Sequence, residues 1–278
     1  MQGSFGVRRV LLLSALFSLF TAWGAAAQTA PTRTTVGSEP ARSLLWVGNS
    51  FFYYNNSMHG HVGQLAAGAD PKVNLRGVSA TISGSGLDWH DVASYLRPDG
   101  VGRYSFVGDN EIVFNKPGRQ FEAVIMMDCS QCPVHPQLRS AFHDAVKKNS
   151  EIVVRYGARP VLFMSWAYKD KPEMTRQLAD EYTAAGNAND ALVIPAGLAF
   201  ARAIAGRPGL ELYQPDKRHP SLAGTYLAAC TTFAAVTGAS PVGNRYTAGL
   251  EPGLAEYLQG VAWETVRAYY GKDAKAAG

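Results

Sequence analysis

The chain has 278 residues, 47% of them hydrophobic, with a formal net charge of +4. Two of its 26 basic residues, Arg8 and Arg9, fall in an N-terminal leader, so the remaining stretch of about 250 residues is close to neutral and carries no basic stripe of the kind nucleic acid requires. That length suits one α/β domain with a well-buried core.

In chain order, Arg8 and Arg9 precede an apolar run, Val10 to Ala22, that is too short to span a bilayer as a helix. Ala25, Ala26 and Ala27 then form a small-residue cleavage site before Gln28. This order predicts a secretory signal peptide over 1–27 and a periplasmic or extracellular mature protein, with no stable membrane insertion after cleavage. Residues 28–40, rich in Thr, Pro and Ala, read as a disordered lead-in. Short apolar runs then alternate with amphipathic stretches, the pattern of a parallel sheet covered by helices on both faces. Strands are expected at Ser43 to Val47, within Lys72 to Ile82, and at Glu122 to Met127, Arg159 to Trp166 and Ala191 to Pro195. Helices are expected at Met58 to Ala67, Leu87 to Leu96, Gln137 to Tyr156, Pro172 to Ala185, Gly197 to Ala205, Ser221 to Val236 and Pro252 to Tyr270. Residues 99–120 read as a small hairpin or long loop, and 273–278 as a flexible tail.

Two segments carry chemistry. In Gly48-Asn49-Ser50-Phe51 a serine follows the first strand, where it projects into the crevice at the carboxyl end of a parallel sheet. The turn is not the Gly-x-Ser-x-Gly elbow of α/β-hydrolases. Near the other end, Asp216 precedes His219 by three residues, and Pro220 suits the first turn of a helix. Together they describe a nucleophile, Ser50, a general base, His219, and a carboxylate, Asp216, that orients the imidazole.

These residues resemble the SGNH (GDSL-like) hydrolase family, in which a Gly-Asp-Ser or Gly-Asn-Ser turn opens the domain and Asp-x-x-His-Pro closes it. The match is closer to a branch that begins Gly-Asn-Ser-Phe-x-Tyr-Tyr-Asn-Asn, as Gly48 to Asn56 do, and that has Ser-Trp-Ala after the fourth strand, as at Ser165, Trp166 and Ala167. The resemblance implies a three-layer α/β/α sandwich of flavodoxin-like type, with a mostly parallel five-stranded sheet, over 41–272. It implies a serine esterase acting through an acyl-enzyme, without a cofactor. It also implies an oxyanion hole formed by the N–H of Ser50, by a glycine after the second strand (Gly84, with Gly86 as the alternative) and by an asparagine after the third. Here that asparagine is missing from Asp128-Cys129-Ser130-Gln131-Cys132-Pro133, so Gln131, or more weakly Ser130, is the candidate donor. Asn49, Tyr53, Trp89 and Asp128 are weaker candidates for substrate contact, with Tyr53, Tyr54 and Trp89 as faces for a sugar.

Cys129 and Cys132 are expected either to be bridged or to be free thiols, and a lone C-x-x-C does not make a zinc site. His59, His61, Asp88 and His90 lack the spacing of a metal set. The leading expectation is a secreted esterase that removes short acyl groups, acetyl foremost, from glycans. The alternatives are a lipolytic esterase or thioesterase for longer acyl chains and a non-catalytic glycan-binding protein on a decayed hydrolase fold.

Overall fold

A computed structural model describes residues 29–272, so the leader and the tail lie outside the described residues. Strand β1 (Ser43–Gly48) is followed by a single-turn helix α1 (Ser50–Tyr53), helix α2 (Met58–Gly68) and strand β2 (Arg76–Thr81). A 3-10 turn (Leu87–Trp89), helix α3 (Val92–Leu96) and the hairpin β3 (Tyr104–Val107) and β4 (Glu111–Phe114) come next. Then follow β5 (Ala123–Met126), α4 (Arg139–Arg155), β6 (Arg159–Phe163), α5 (Met174–Ala188), β7 (Leu192–Ile194), α6 (Ala196–Gly206), α7 (Leu222–Thr237) and α8 (Pro252–Tyr269).

Five strands form one parallel sheet in the order β2-β1-β5-β6-β7. Strands β5 and β7 are apolar and buried throughout, β1 and β6 all but their first residues, as a sheet covered on both faces requires. β2 is half-buried, which fits its place at the edge. The chain leaves β1 for β2 on one side and returns as β5 on the other. The carboxyl ends of β1 and β5 are therefore the topological switch point, where open α/β sheets bind ligands. Helices α3, α4 and α5 pack together, and α2, α6, α7 and α8 form a second group. α7 is buried on every side from Ala223 to Val236; its Ala, Gly and Thr residues let neighbours approach closely all round it.

The expected elements appear, with boundaries shifted by local bonding. The single helix expected at Leu87 to Leu96 is divided. The His90 ring is drawn to the Ser85 hydroxyl at 3.0 Å, and the Asp91 side chain accepts from Ser94 N–H to start α3 afresh. The strand expected to reach Trp166 ends at Phe163, opposite Ile194, the last residue of the short β7. Residues 29–40, expected as a disordered lead-in, form no helix or strand but are held against the domain. Thr32 N–H donates to Asn187 at 2.8 Å, Arg33 pairs with Asp190, and Val36 is buried.

The start of α6 crosses the end of β6 closely. A Cβ on Gly197 would lie 2.3 Å from the Ser165 carbonyl oxygen. Gly197→Ala is therefore expected to overpack this contact at a cost of about 1–3 kcal/mol. Scanning calorimetry should read that as a fall in Tm of about 2–10 °C for a domain of this size; an unchanged Tm would mean that α6 does not sit so close.

Candidate active site

Ser50 opens α1 directly beyond β1, and the Asn49 side chain caps that turn by accepting from Phe51 N–H at 3.2 Å. The Asn49 amide also donates to the carbonyl oxygens of Ser85 at 2.9 Å and Asp128 at 3.2 Å. Asn49 was expected to touch substrate. It is instead buried, with its side chain committed to joining the loops after β1, β2 and β5.

The second half of the site arrives from the loop before α7. Asp216 Oδ1 accepts from the N–H groups of Arg218 (2.9 Å) and His219 (3.0 Å), which winds the loop into an Asx turn with Lys217 at a φ of 64°. Asp216 Oδ2 lies 2.5 Å from His219 Nδ1, and His219 Nε2 lies 2.8 Å from Ser50 Oγ. A carboxylate at Nδ1 accepts from an N–H there, which leaves Nε2 as an acceptor facing the serine hydroxyl. Burial pushes the Asp216 carboxyl up, but its bonds to the His219 ring and to the two backbone N–H groups outweigh this and hold it below the ordinary carboxylate value. Ser50, His219 and Asp216 are thus brought together as the sequence predicts, across 169 residues between Ser50 and His219.

The sequence reading missed the roles of several residues around His219, Tyr54 among them, which was expected to face a sugar. Tyr54 stacks on its imidazole at 4.2 Å between ring centres and 10° between planes, and Phe51 meets it edge-on at 5.4 Å. Phe51 stacks in turn on Trp166, whose indole N–H donates to the Arg218 carbonyl at 2.9 Å. Asn55, at a φ of 54°, donates to Pro220 O at 2.9 Å and Thr225 Oγ1 at 2.8 Å, and His61 bonds both the Asn55 carbonyl and the Tyr246 hydroxyl. The motif Tyr53 to Asn56 was the available signal. Its Tyr54 and Asn55 clamp the loop that carries the base.

The oxyanion candidates fare differently. The N–H groups of Ser50, Gly84 and Gly86 have no acceptor among the described residues. Gly84 is exposed at a φ of 70°, whereas Gly86 is buried where a Cβ would meet Asp88 and Asp128. Gln131 is exposed, and its side-chain amide has no partner among the described residues. The Ser130 hydroxyl is engaged with Tyr168 at 2.7 Å. Cys129 and Cys132 are joined as a disulfide, so they are not metal ligands beside Asp128. His59, His61 and His90 bond separate partners, Ser57, Tyr246 and Ser85. Tyr53, bonded to Ser83 at 3.0 Å, stands exposed with Ile82 and Trp89 around the loop after β2.

The fold is similar to that of a DUF4886 family protein from Bacteroides uniformis, at 19% identity over 82% of this chain and 95% of that one, with a TM-score of 0.59. It is also similar to an SGNH hydrolase from Slackia heliotrinireducens (20% identity, 70% and 98% coverage, TM-score 0.53). A catalytic mutant of an acetylxylan esterase from Geobacillus stearothermophilus gives 14% identity, 74% and 99% coverage and a TM-score of 0.51. No family model matches the sequence, and no curated protein matches it. The chain therefore has the fold of the SGNH hydrolases.

Asp128 was expected to touch substrate. It is buried, and its Oδ1 accepts from Leu87 N–H at 2.9 Å and Cys129 N–H at 2.6 Å. Burial raises its carboxyl above the ordinary range, against the pull of those two N–H groups. The folded state then holds its proton to higher pH than the unfolded chain does, so this group takes stability away as pH rises from the ordinary carboxylate value through the raised one. Asp128→Asn keeps an acceptor and removes the charge, and should flatten that part of the stability–pH curve in urea titrations. Asp128→Ala should cost about 1–3 kcal/mol at any pH by stranding the donors. If the two variants behave alike, Asp128 does not anchor the loop.

Proposed function

We propose that this protein is a serine ester hydrolase that removes short acyl groups, acetyl foremost, from glycan hydroxyls. The observation that carries the reading is the continuous contact from Asp216 through His219 to Ser50 Oγ. Ser50 Oγ attacks the ester carbonyl while His219 Nε2 takes its proton. The oxyanion receives the N–H groups of Ser50 and Gly84, the imidazolium returns the proton to the leaving alcohol, and a water deprotonated by His219 then releases the acid. Gln131 is a third donor held by no neighbour. It is therefore not preorganised and contributes less than the ~10²–10³ of a fixed donor.

In a nitrophenyl acetate assay, Ser50→Ala and His219→Ala should each lower kcat by roughly 10⁴–10⁶-fold, and Asp216→Asn by up to about 10⁴-fold. Gln131→Ala should lose about tenfold or less, below the loss for a fixed donor. Most of the activity surviving in Ser50→Ala would show that the wrong serine is assigned, whereas a wild type without activity would favour a binding protein on this fold.

The glycan part is supported by Tyr53 and Trp89, exposed aromatic side chains on the turn that follows Ser50 and on the loop after β2, of a kind that suits a sugar ring. A longer acyl chain is the second reading; its candidate site is a mainly apolar cavity of about 520 Å³ lined by Tyr168, Phe200, Ile204, Leu210 and Tyr213, none of Ser50, His219 and Asp216 being among its lining residues. Trp89→Ala should raise KM for acetylated oligosaccharides several-fold and leave nitrophenyl acetate hydrolysis unchanged. A preference for acyl chains of about eight carbons or more would instead select the cavity and the second reading, since a pocket of this size holds a drug-sized ligand.

Export belongs to the same proposal. It is supported by the order of charged, apolar and small residues over 1–27 and by the bridged Cys129 and Cys132. Mass spectrometry of protein secreted from a bacterial host should find Gln28 at the N-terminus; a retained leader would overturn this part.

A further inference from the structure

Among the described residues, twelve large hydrophobic side chains are exposed, and six of them lie on the β3–β4 hairpin. Tyr104 pairs with Phe114 and Phe106 with Ile112, so these four side chains share one face of the two-stranded sheet. They are 51%, 68%, 68% and 52% exposed for Tyr104, Phe114, Phe106 and Ile112. Val107 and Val113 add exposed apolar surface on the reverse face. A hairpin of eight strand residues is marginal in water without a layer to pack on, and a contiguous apolar face of this kind marks an interaction site.

The charges at its two ends differ in sign. The tip carries Asp109 and Glu111, and neither has a cation partner among the described residues. The base carries Lys116, which has no carboxylate partner among them, and Arg103, which is paired with Asp99 at 3.5 Å and whose guanidinium lies 5.9 Å from the centre of the Phe114 ring on the apolar face. A hairpin with an acidic tip, an apolar middle and a basic base is complementary to itself turned end for end. A twofold axis through the face would set each tip over the other copy's base, so that every contact occurs twice. A lipid surface fits less well, because a hairpin entering tip-first would bring Asp109, Asn110 and Glu111 into the membrane first.

We propose that the Tyr104, Phe106, Ile112 and Phe114 face is a self-association surface, on which two copies of this chain pack antiparallel. The catalytic reading is independent of it. The hairpin leads through Gln120, whose carbonyl is held by Arg76 at the start of β2, to the amino-terminal edge of the sheet, whereas Ser50 stands at the carboxyl-terminal edge. Four side chains a copy supply less than the roughly 800 Å² that a standard interface buries per partner, so association is expected in the micromolar range.

Sedimentation velocity over about 1–500 μM is the test, the range in which such an interface titrates. The wild type should pass from monomer to dimer. Phe106→Ser with Phe114→Ser should remain monomeric, with unchanged circular dichroism and ester hydrolysis. A tip variant, Asp109→Lys with Glu111→Lys, and a base variant, Arg103→Glu with Lys116→Glu, should each self-associate at least tenfold more weakly than wild type. Mixed, they should recover a dimer, because the basic tip of one then meets the acidic base of the other and the reverse. A wild type that stays monomeric throughout would overturn the proposal. So would serine variants that dimerise normally, or a mixture no tighter than its parts. Co-sedimentation with anionic phospholipid vesicles that is lost in the serine variants, with no dimer in solution, would assign the face to a membrane instead.

Discussion

The buried amide of Asn49 is the bond set on which the rest of the site depends. A parallel sheet delivers its loops to one edge but does not join them to one another. Asn49 makes that connection, because one side chain caps the turn holding Ser50 and donates to carbonyl groups beyond β2 and β5. Its burial excludes water from competing for those donors, and a buried amide left unpaired would cost far more than an exposed one. Asp128 ties two of the same loops from the other direction through Leu87 N–H. The position of Ser50 is thus fixed by the sheet switch point together with two polar braces.

His219 is held by different forces. Its loop is fixed by a single antiparallel bridge, Tyr213 opposite Pro220, in which Gln214 N–H donates to the His219 carbonyl at 2.8 Å and Ser221 N–H to the Leu212 carbonyl at 2.9 Å. The ring itself is held by a stack that runs from Tyr54 over the imidazole and from Phe51 through Trp166 to Phe200, with the last pair 4.3 Å apart and 7° from parallel. Such a stack resists tilting of the imidazole and leaves its nitrogens free for Ser50 and Asp216. Asn55 adds a hydrogen bond at the next residue, Pro220. The short segment after the first strand therefore carries the serine and also grips the base.

Four of the sheet strands were legible because buried parallel strands are written as largely apolar runs, while the half-buried edge strand β2 was placed only within Lys72 to Ile82; Ser50, His219 and Asp216 were legible because their turns demand particular neighbours. The roles of Tyr54 and Asn55 were not legible, since stacking on a ring 165 residues away leaves no periodic mark. Asn49 was misread for a physical reason: an asparagine beside a nucleophile looks the same in sequence whether it faces ligand or core. Gln131 shows the opposite limit. Its residue type suits a donor, but nothing in a sequence says whether a long side chain will be pinned, and here it stands in solvent.

The all-round burial of α7 bears on how the molecule fails when heated. Pro220 and Ser221 lead directly from the base into a helix with no solvent face, and Asn55 is bonded to both Pro220 and Thr225 of that helix. Opening such a helix means opening the core around it, so this side of the site has no inexpensive sub-global fluctuation of its own. Loss of the base's alignment and collapse of the domain become one event, and residual turnover after heating would count surviving folded molecules.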